Sequence, residues 1–286
     1  MKRFFVVIYM LFIGVLTSTT AASDINLDAW FGDYTGAMVI MDAGTGETIR
    51  YNPKRCAERE PPCSTFKIPN AVFGLDSGVL SGADHVIPWD GTKRFYDVWN
   101  QDLNLGQAIQ YSSVPYFQNV ARGLGQERMQ DYLDKINYGN KDMSAGIDIF
   151  WLGRSLRISP DEQVVFLRKL FSSSFDLNRN AMNTVSGLLL RKETAKGSFY
   201  GKTGSCNSKT EGKEIGWFVG FVDTLETRYY FALNITDGQD PCGKVAELIA
   251  FKILVEMGFL GDDDLKPSID PGFTRLKNGI YKVHEE

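Results

Sequence analysis

EIGWFVGFVD, residues 214–223, and RYYFALNIT, residues 228–236, stand next to each other with only a short polar break between them. Both are rich in aromatic and β-branched residues and bounded by turn formers, so both read as strands, with a third over 198–204 just before them. Beyond them, Val245, Leu248, Ile249, Ile253, Leu254 and Met257 fall near helical spacing over 243–257, one apolar stripe able to cover a sheet face. The other end of the chain carries a matching piece. YTGAMVIMD at 34–42 and ETIRY at 47–51 flank the turn Ala43-Gly44-Thr45-Gly46 and read as a hairpin. Between the two strand groups, from about 64 to 196, most segments read as helices, among them Glu127–Ile136, Pro160–Phe171 and Ala181–Leu190. Short strands are stable only in a shared sheet, so the expected fold class is α+β. The N- and C-terminal strands (about 23–62 and 197–286) form one antiparallel sheet flanked by helices, and about 63–196 folds as a helical lobe beside it. The cleft between lobes is where a small-molecule site is expected.

With 286 residues, 43% hydrophobic and 13% aromatic, the chain has ample material for a core, and a net charge of −4 gives no electrostatic footprint for nucleic acid. Met1-Lys2-Arg3, the apolar run Phe4–Leu16 and the small, polar Thr17–Ala22 make the three parts of a secretory leader, expected to be removed at about residue 22. The apolar run is shorter than the ~20 residues a spanning helix needs. The mature chain is therefore expected to be periplasmic or secreted, with no membrane segment once the leader is gone. In such a compartment the four cysteines read as disulfides. Three pairings exist; the short loop favours Cys56 with Cys63, which leaves Cys206 with Cys242, and free buried thiols are the alternative. Only two histidines are present, His85 and His284, so a histidine base or a histidine-rich metal site is disfavoured.

Four short motifs carry chemistry. Ser64-Thr65-Phe66-Lys67 opens an apolar stretch that reads as a helix, and its i, i+3 spacing puts hydroxyl and amine on one face. A lysine activates a serine only when its amine is neutral, which burial favours. Lys202-Thr203-Gly204 ends a strand, where cation and hydroxyl reach a cleft and the glycine allows close approach. Ser112-Ser113-Val114 follows the helical Leu105–Tyr111, and Tyr138-Gly139-Asn140 reads as a turn. Singly each motif is ordinary. Tyr96, Trp99, Tyr111, Trp217 and Phe218 read as core aromatics, with contact to a substrate as the alternative, Asp97 and Asp102 as a solvated face, and His85 as structural.

Taken in order, from the hairpin through STFK, S-x-V, YGN, Phe150-Trp151-Leu152 and KTG to the last helix, the sequence resembles the class D, oxacillinase-type, serine β-lactamases over essentially its whole mature length. Class A enzymes and penicillin-binding proteins share S-x-x-K and K-T-G but carry S-D-N between them. The resemblance implies a β-lactamase/transpeptidase-like fold and hydrolysis of penicillin-type antibiotics. It makes Ser64 the nucleophile and Lys67, carboxylated by CO2, the general base. Ser112 becomes the proton shuttle to the leaving nitrogen, and Lys202 the cation that stabilises charge. It further implies an oxyanion hole from the backbone N–H groups of Ser64 and Ser205, walls from Phe66, Val114, Trp151 and Leu152, and a Trp151 indole able to bond the carbamate. Thr203, Gly204 and Ser205 would join Lys202 around the substrate carboxylate. Members usually carry an arginine near the start of the last helix; here Asp240-Pro241-Cys242-Gly243-Lys244 offers only Lys244, a point charge instead of a fork. No metal or organic cofactor is implied, only CO2 or bicarbonate for Lys67, and the partner is a small-molecule β-lactam; a homodimer is compatible with the resemblance. Two other readings share the motifs. A β-lactam sensor would sit behind several membrane segments, and a transpeptidase would show S-x-N.

Overall fold

Strands from the two ends of the chain meet in one antiparallel sheet. The structure, a computed structural model, describes residues 26–208, 212–262, 273–275 and 281–283; the leader expected at 1–22 and His284 lie outside the described residues. The strands β1 (Thr35–Asp42), β2 (Thr48–Tyr51), β3 (Leu190–Glu193), β4 (Gly197–Ser208), β5 (Lys213–Thr224) and β6 (Arg228–Thr236) form a sheet of order β2-β1-β6-β5-β4-β3. β1 and β6 pair along their length, from Thr35 opposite Thr236 to Asp42 opposite Tyr229. The sheet also takes in β3, a segment the sequence assigns to the helical lobe. β7 (Phe273–Arg275) and β8 (Tyr281–Val283) pair separately.

Strand alternation sorts the apolar residues into two cores. On β5, Ile215, Trp217, Val219 and Phe221 face the larger core, while Phe218 and Val222 face the smaller. On β6, Tyr230 and Ala232 face the former, and Phe231, Leu233 and Ile235 the latter. The smaller core lies under α1 (Asp28–Phe31) and α9 (Gly243–Glu256), whose Ala246, Ile249, Ala250, Ile253 and Leu254 fill it. The larger is shared with α2 (Pro53–Cys56), α3 (Lys67–Asp76), α4 (Leu105–Gln110), α5 (Val114–Leu124), α6 (Gln126–Ile136), α7 (Pro160–Phe171) and α8 (Arg179–Leu188). Helix starts carry the expected caps: Asn104 and Ser159 each form a capping box, and Ser113 accepts from the Tyr116 amide with a proline in the first turn.

The expected cysteine pairing is overturned. The disulfide joins Cys63 to Cys206, with Cα atoms 5.6 Å apart, and Cys56 and Cys242 are free. Cys56 ends α2 with its thiol 3.1 Å from the Tyr51 carbonyl oxygen, beside the first hairpin. From there the chain does not loop back. It crosses away, pinned where Glu60 pairs with Ile158 and where the Trp217 indole donates to the Pro61 carbonyl at 2.9 Å. The second expected pair fails through alternation on β4. Ser205 faces α9 and accepts from the Gly243 amide at 2.8 Å, so Cys206 points to the opposite face, toward Cys63, and not to Cys242.

Phe231 stacks against Phe199 and Phe218 with ring centroids 5.7 and 5.6 Å apart, at the centre of the smaller core. Phe231→Ala is expected to cost about 3–5 kcal/mol of stability, read by urea unfolding; a loss under about 1 kcal/mol would contradict this packing.

Candidate active site

Ser64 lies in a 3₁₀ turn, Cys63–Phe66, and Lys67 is the first residue of α3. The sequence leads to an α-helical start here, but the tighter turn has three residues per revolution, so residues i and i+3 eclipse. The hydroxyl of Ser64 and the amine of Lys67 consequently lie one above the other, 2.7 Å apart. Lys67 is 1% exposed and Ser64 8%. The Lys67 amine also lies 2.6 Å from the Ser112 carbonyl oxygen and 3.1 Å from its hydroxyl. Burial first, and then the positive charge of Lys202, hold its pKa well below the ordinary 10.5. A neutral amine has two N–H groups and one lone pair, which suits donation to two oxygens and acceptance of the Ser64 proton.

Ser112 links α4 to α5 with a backbone φ of +51°, in the left-handed region that a residue with a β-carbon occupies only when its surroundings hold it there. Its neighbour Ser113 is committed to capping α5, and the Trp99 indole fixes the Tyr111 carbonyl on the other side at 2.9 Å. The Ser112 hydroxyl thus points between two amines, accepting from Lys202 at 2.9 Å as well as from Lys67. Lys202 comes from β4, is 4% exposed and also donates to the Thr203 carbonyl at 3.0 Å. β3 covers the outer edge of β4 only as far as Tyr200, so Lys202 onward faces the turn that carries Ser64. Gly204 lies tight against that turn: a β-carbon there would come within 3.0–3.1 Å of the Thr65 methyl and the Pro62 carbonyl oxygen. The glycine of K-T-G makes room for the protein's own turn. Thr65 is held in turn by a buried chain in which Gln163 of α7 donates to the Thr65 hydroxyl at 3.0 Å and accepts from Tyr138, of the YGN motif, at 3.5 Å.

A cleft of about 340 Å³ opens over these groups. It is lined by Ser64, Ser112, Val114, Thr203, Ser205 and Lys244 from the sequence-derived set. Tyr96, Trp99 and Tyr111 line it too, half-buried instead of enclosed in the core: Tyr96 packs on Trp99 with ring centroids 4.7 Å apart, and Tyr111 rests against the larger core with its other side to the cleft. Trp217 and Phe218 are core as expected. Asn207, Glu214 and Asp240 also line the cleft, and sequence reasoning did not find them: Glu214 arrives only through β4–β5 register, opposite Asn207. Leu152 is not part of the lining and packs against the larger core. Trp151 is fully buried, stacked on Phe66 at 5.4 Å, and its indole N–H has no hydrogen-bond partner among the described residues. Among the described residues no cluster of side chains suits a metal ion, and no helix is long and apolar enough to cross a membrane.

Residues 36–255 match the family model described as the penicillin-binding protein transpeptidase domain. The chain is 38% identical to the probable beta-lactamase YbxI of Bacillus subtilis (strain 168) over 238 residues, 83% of this chain and 86% of that protein. It is 36% identical over 224 residues to the regulatory protein BlaR1 of Bacillus licheniformis, covering 78% of this chain but 37% of BlaR1. A crystal structure of a class D beta-lactamase from Bacillus subtilis superposes with a TM-score of 0.77 at 39% identity, over 83% of this chain and 97% of that one.

The depressed Lys67 pKa has a sign that can be tested. Between its folded and unfolded values the unfolded chain binds the extra proton, so Lys67 costs stability at neutral pH and costs less as pH rises toward 10.5. In CO2-free buffer, Lys67→Met is expected to be more stable than the parent at pH 7, with the gap narrowing by pH 9 in urea unfolding. A stability gap that does not change between pH 7 and pH 9 would show that the Lys67 pKa is not depressed in the fold.

Proposed function

Because the chain belongs to the class D serine β-lactamases, within the penicillin-binding protein transpeptidase domain family, we propose that it hydrolyses the β-lactam ring of penicillin-type antibiotics through a covalent Ser64 acyl-enzyme, and so confers resistance to them. The observation that carries this reading is the buried Lys67 amine 2.7 Å from the Ser64 hydroxyl, with its pKa depressed. Such a pair generates a serine nucleophile without histidine.

Ser64 Oγ attacks the lactam carbonyl carbon as its proton leaves toward Lys67. The backbone N–H groups of Ser64 and Ser205 receive the developing oxyanion. As the carbon–nitrogen bond breaks, the ring nitrogen takes a proton from Ser112, whose hydroxyl is replenished from the Lys67 and Lys202 side. Water then attacks the ester carbonyl, Ser64 leaves with a proton, and the ring-opened acid is released. Lys202, Thr203 and Ser205 hold the substrate carboxylate, and Lys244 takes the rim position where relatives carry arginine. Tyr96, Trp99 and Tyr111 offer flat apolar surface to the substituent on the ring.

CO2 fits the Lys67 site. CO2 would add to the nitrogen of the neutral, buried amine, which would lose one N–H proton to solvent, and the carbamate so formed would supply oxygens as base for Ser64 and for the hydrolytic water. The orphaned Trp151 N–H, in a donor-only side chain, would hold one of them. The leader reading puts the reaction outside the cytoplasm.

The test is penicillin turnover by the purified chain with and without bicarbonate, followed by intact mass. Turnover that rises with bicarbonate is expected. A stable Ser64 adduct without turnover would instead favour a sensor, the reading that the likeness to BlaR1 supports. Trp151→Ala is expected to slow deacylation more than acylation, and equal loss in both steps would remove its role. Lys202→Ala should lower acylation by carboxylate-bearing drugs by about 100-fold, the scale of losing one charge-stabilising donor; an unaltered rate would displace it from the site.

A further inference from the structure

We propose that the Cys63–Cys206 disulfide is a positioning pair for this reaction, setting the separation between the two N–H groups that receive the oxyanion. The proposal rests on the assignment of Ser64 and Ser205 to that role. Cys63 is the residue immediately before Ser64, and Cys206 the residue immediately after Ser205. One covalent bond, spanning 143 residues of sequence, therefore ties the two sides of the hole one residue behind each donor. It is the only disulfide among the described residues.

The two sides share β5 as a noncovalent anchor, at Trp217 for the turn and at Gly216 for the strand, and each is held further by a different helix. The turn carrying Ser64 is held by Gln163 on α7 and by the Trp217 indole on the Pro61 carbonyl. Ser205 is held by its pairing with Gly216 on β5 and by its hydroxyl's bond to the start of α9. Across the gap the noncovalent links are the close approach at Gly204 and hydrogen bonds that leave the two N–H groups themselves unrestrained: the Trp217 indole on Pro61, and the Lys202–Ser112–Lys67 chain. Cys63 also adopts a φ of +51°, which residues with a β-carbon avoid, so a restraint must hold it there. Freed from Cys206, Cys63 can relax toward negative φ and turn the adjoining Ser64 N–H with it. Both acylation and deacylation pass through a tetrahedral anion in this hole, so both steps depend on the spacing.

Cys63 is buried, but Cys206 lines the cleft, so a small phosphine reductant reaches the bond. The experiment compares acylation and deacylation rate constants for a penicillin, each normalised to active sites titrated by intact mass. The samples are the oxidised chain, the phosphine-reduced chain and Cys63→Ser/Cys206→Ser. The expected result is a parallel fall in both constants of about 10- to 100-fold, the scale of a misplacement near 1 Å, with recovery on reoxidation of the reduced parent. A merely stabilising disulfide would lower the melting temperature and the titrated fraction while leaving per-site constants intact, and that result overturns the proposal. So does a loss confined to deacylation, which would point to the Lys67 environment instead. If the serine variant does not fold, the reduced and reoxidised parent decides. An oxidised chain that forms no Ser64 adduct removes the oxyanion assignment itself and the proposal with it, an outcome distinct from equal oxidised and reduced rates.

Discussion

A lysine amine kept out of water is the constraint on which the rest of this structure depends. A buried ammonium is costly, so burial and the charge of Lys202 pull the Lys67 pKa well below its ordinary value and favour the neutral amine, which the fold must then satisfy from every side. It does so with oxygens from two elements, Ser64 beneath and Ser112 beside it, and with aromatic residues around them: the Phe117 ring centroid is 5.9 Å from the amine, and Phe66 carries Trp151 stacked upon it. None of this can be local. Ser112 belongs to the link between α4 and α5, and the second amine that shares its hydroxyl, Lys202, belongs to the sheet.

The sheet and α9 act as a fixed frame for that arrangement. Glu247, buried on α9, takes a two-point ion pair from Arg191 on β3 at 2.7 and 3.0 Å, a geometry with planar specificity. With the Gly243 amide bonded to Ser205, the first turns of α9 are tied to β4 at the cleft and to β3 at the edge of the sheet. Gly216 lets the chain at Cys242 lie directly on β5, where a β-carbon would collide with it. The rim that carries Lys244 is thereby set by backbone packing more than by its own side chains.

The sequence made the strand pairs and the long helices legible because their periods are strong: β6 and α7 fall at the bounds that alternation and helical spacing suggest. The order STFK, S-x-V, KTG was equally readable, because each motif places chemistry through its immediate backbone. Contacts set by register or by a crossing chain were hidden. The Cys63–Cys206 bond depends on which face of β4 Cys206 occupies and on a segment that departs from Cys56 where loop length alone suggests a return. The cleft aromatics were misread for a related reason. Composition says that Tyr96, Trp99 and Tyr111 want burial, but not that one side of each is left to the cleft.

The pairing of β1 with β6 also governs when this molecule can come into being. Val39 lies opposite Ala232, so the middle of the sheet cannot form until nearly the whole chain exists. Contacts so distant in sequence close slowly, because a long loop must be ordered before they repay it. A nascent chain still lacking β6 can assemble helices such as α5, α6 and α7, yet β1 and β2 then wait as an unpaired hairpin. The central pairing of the sheet is therefore a late event, open to the chain only once β6 has been made.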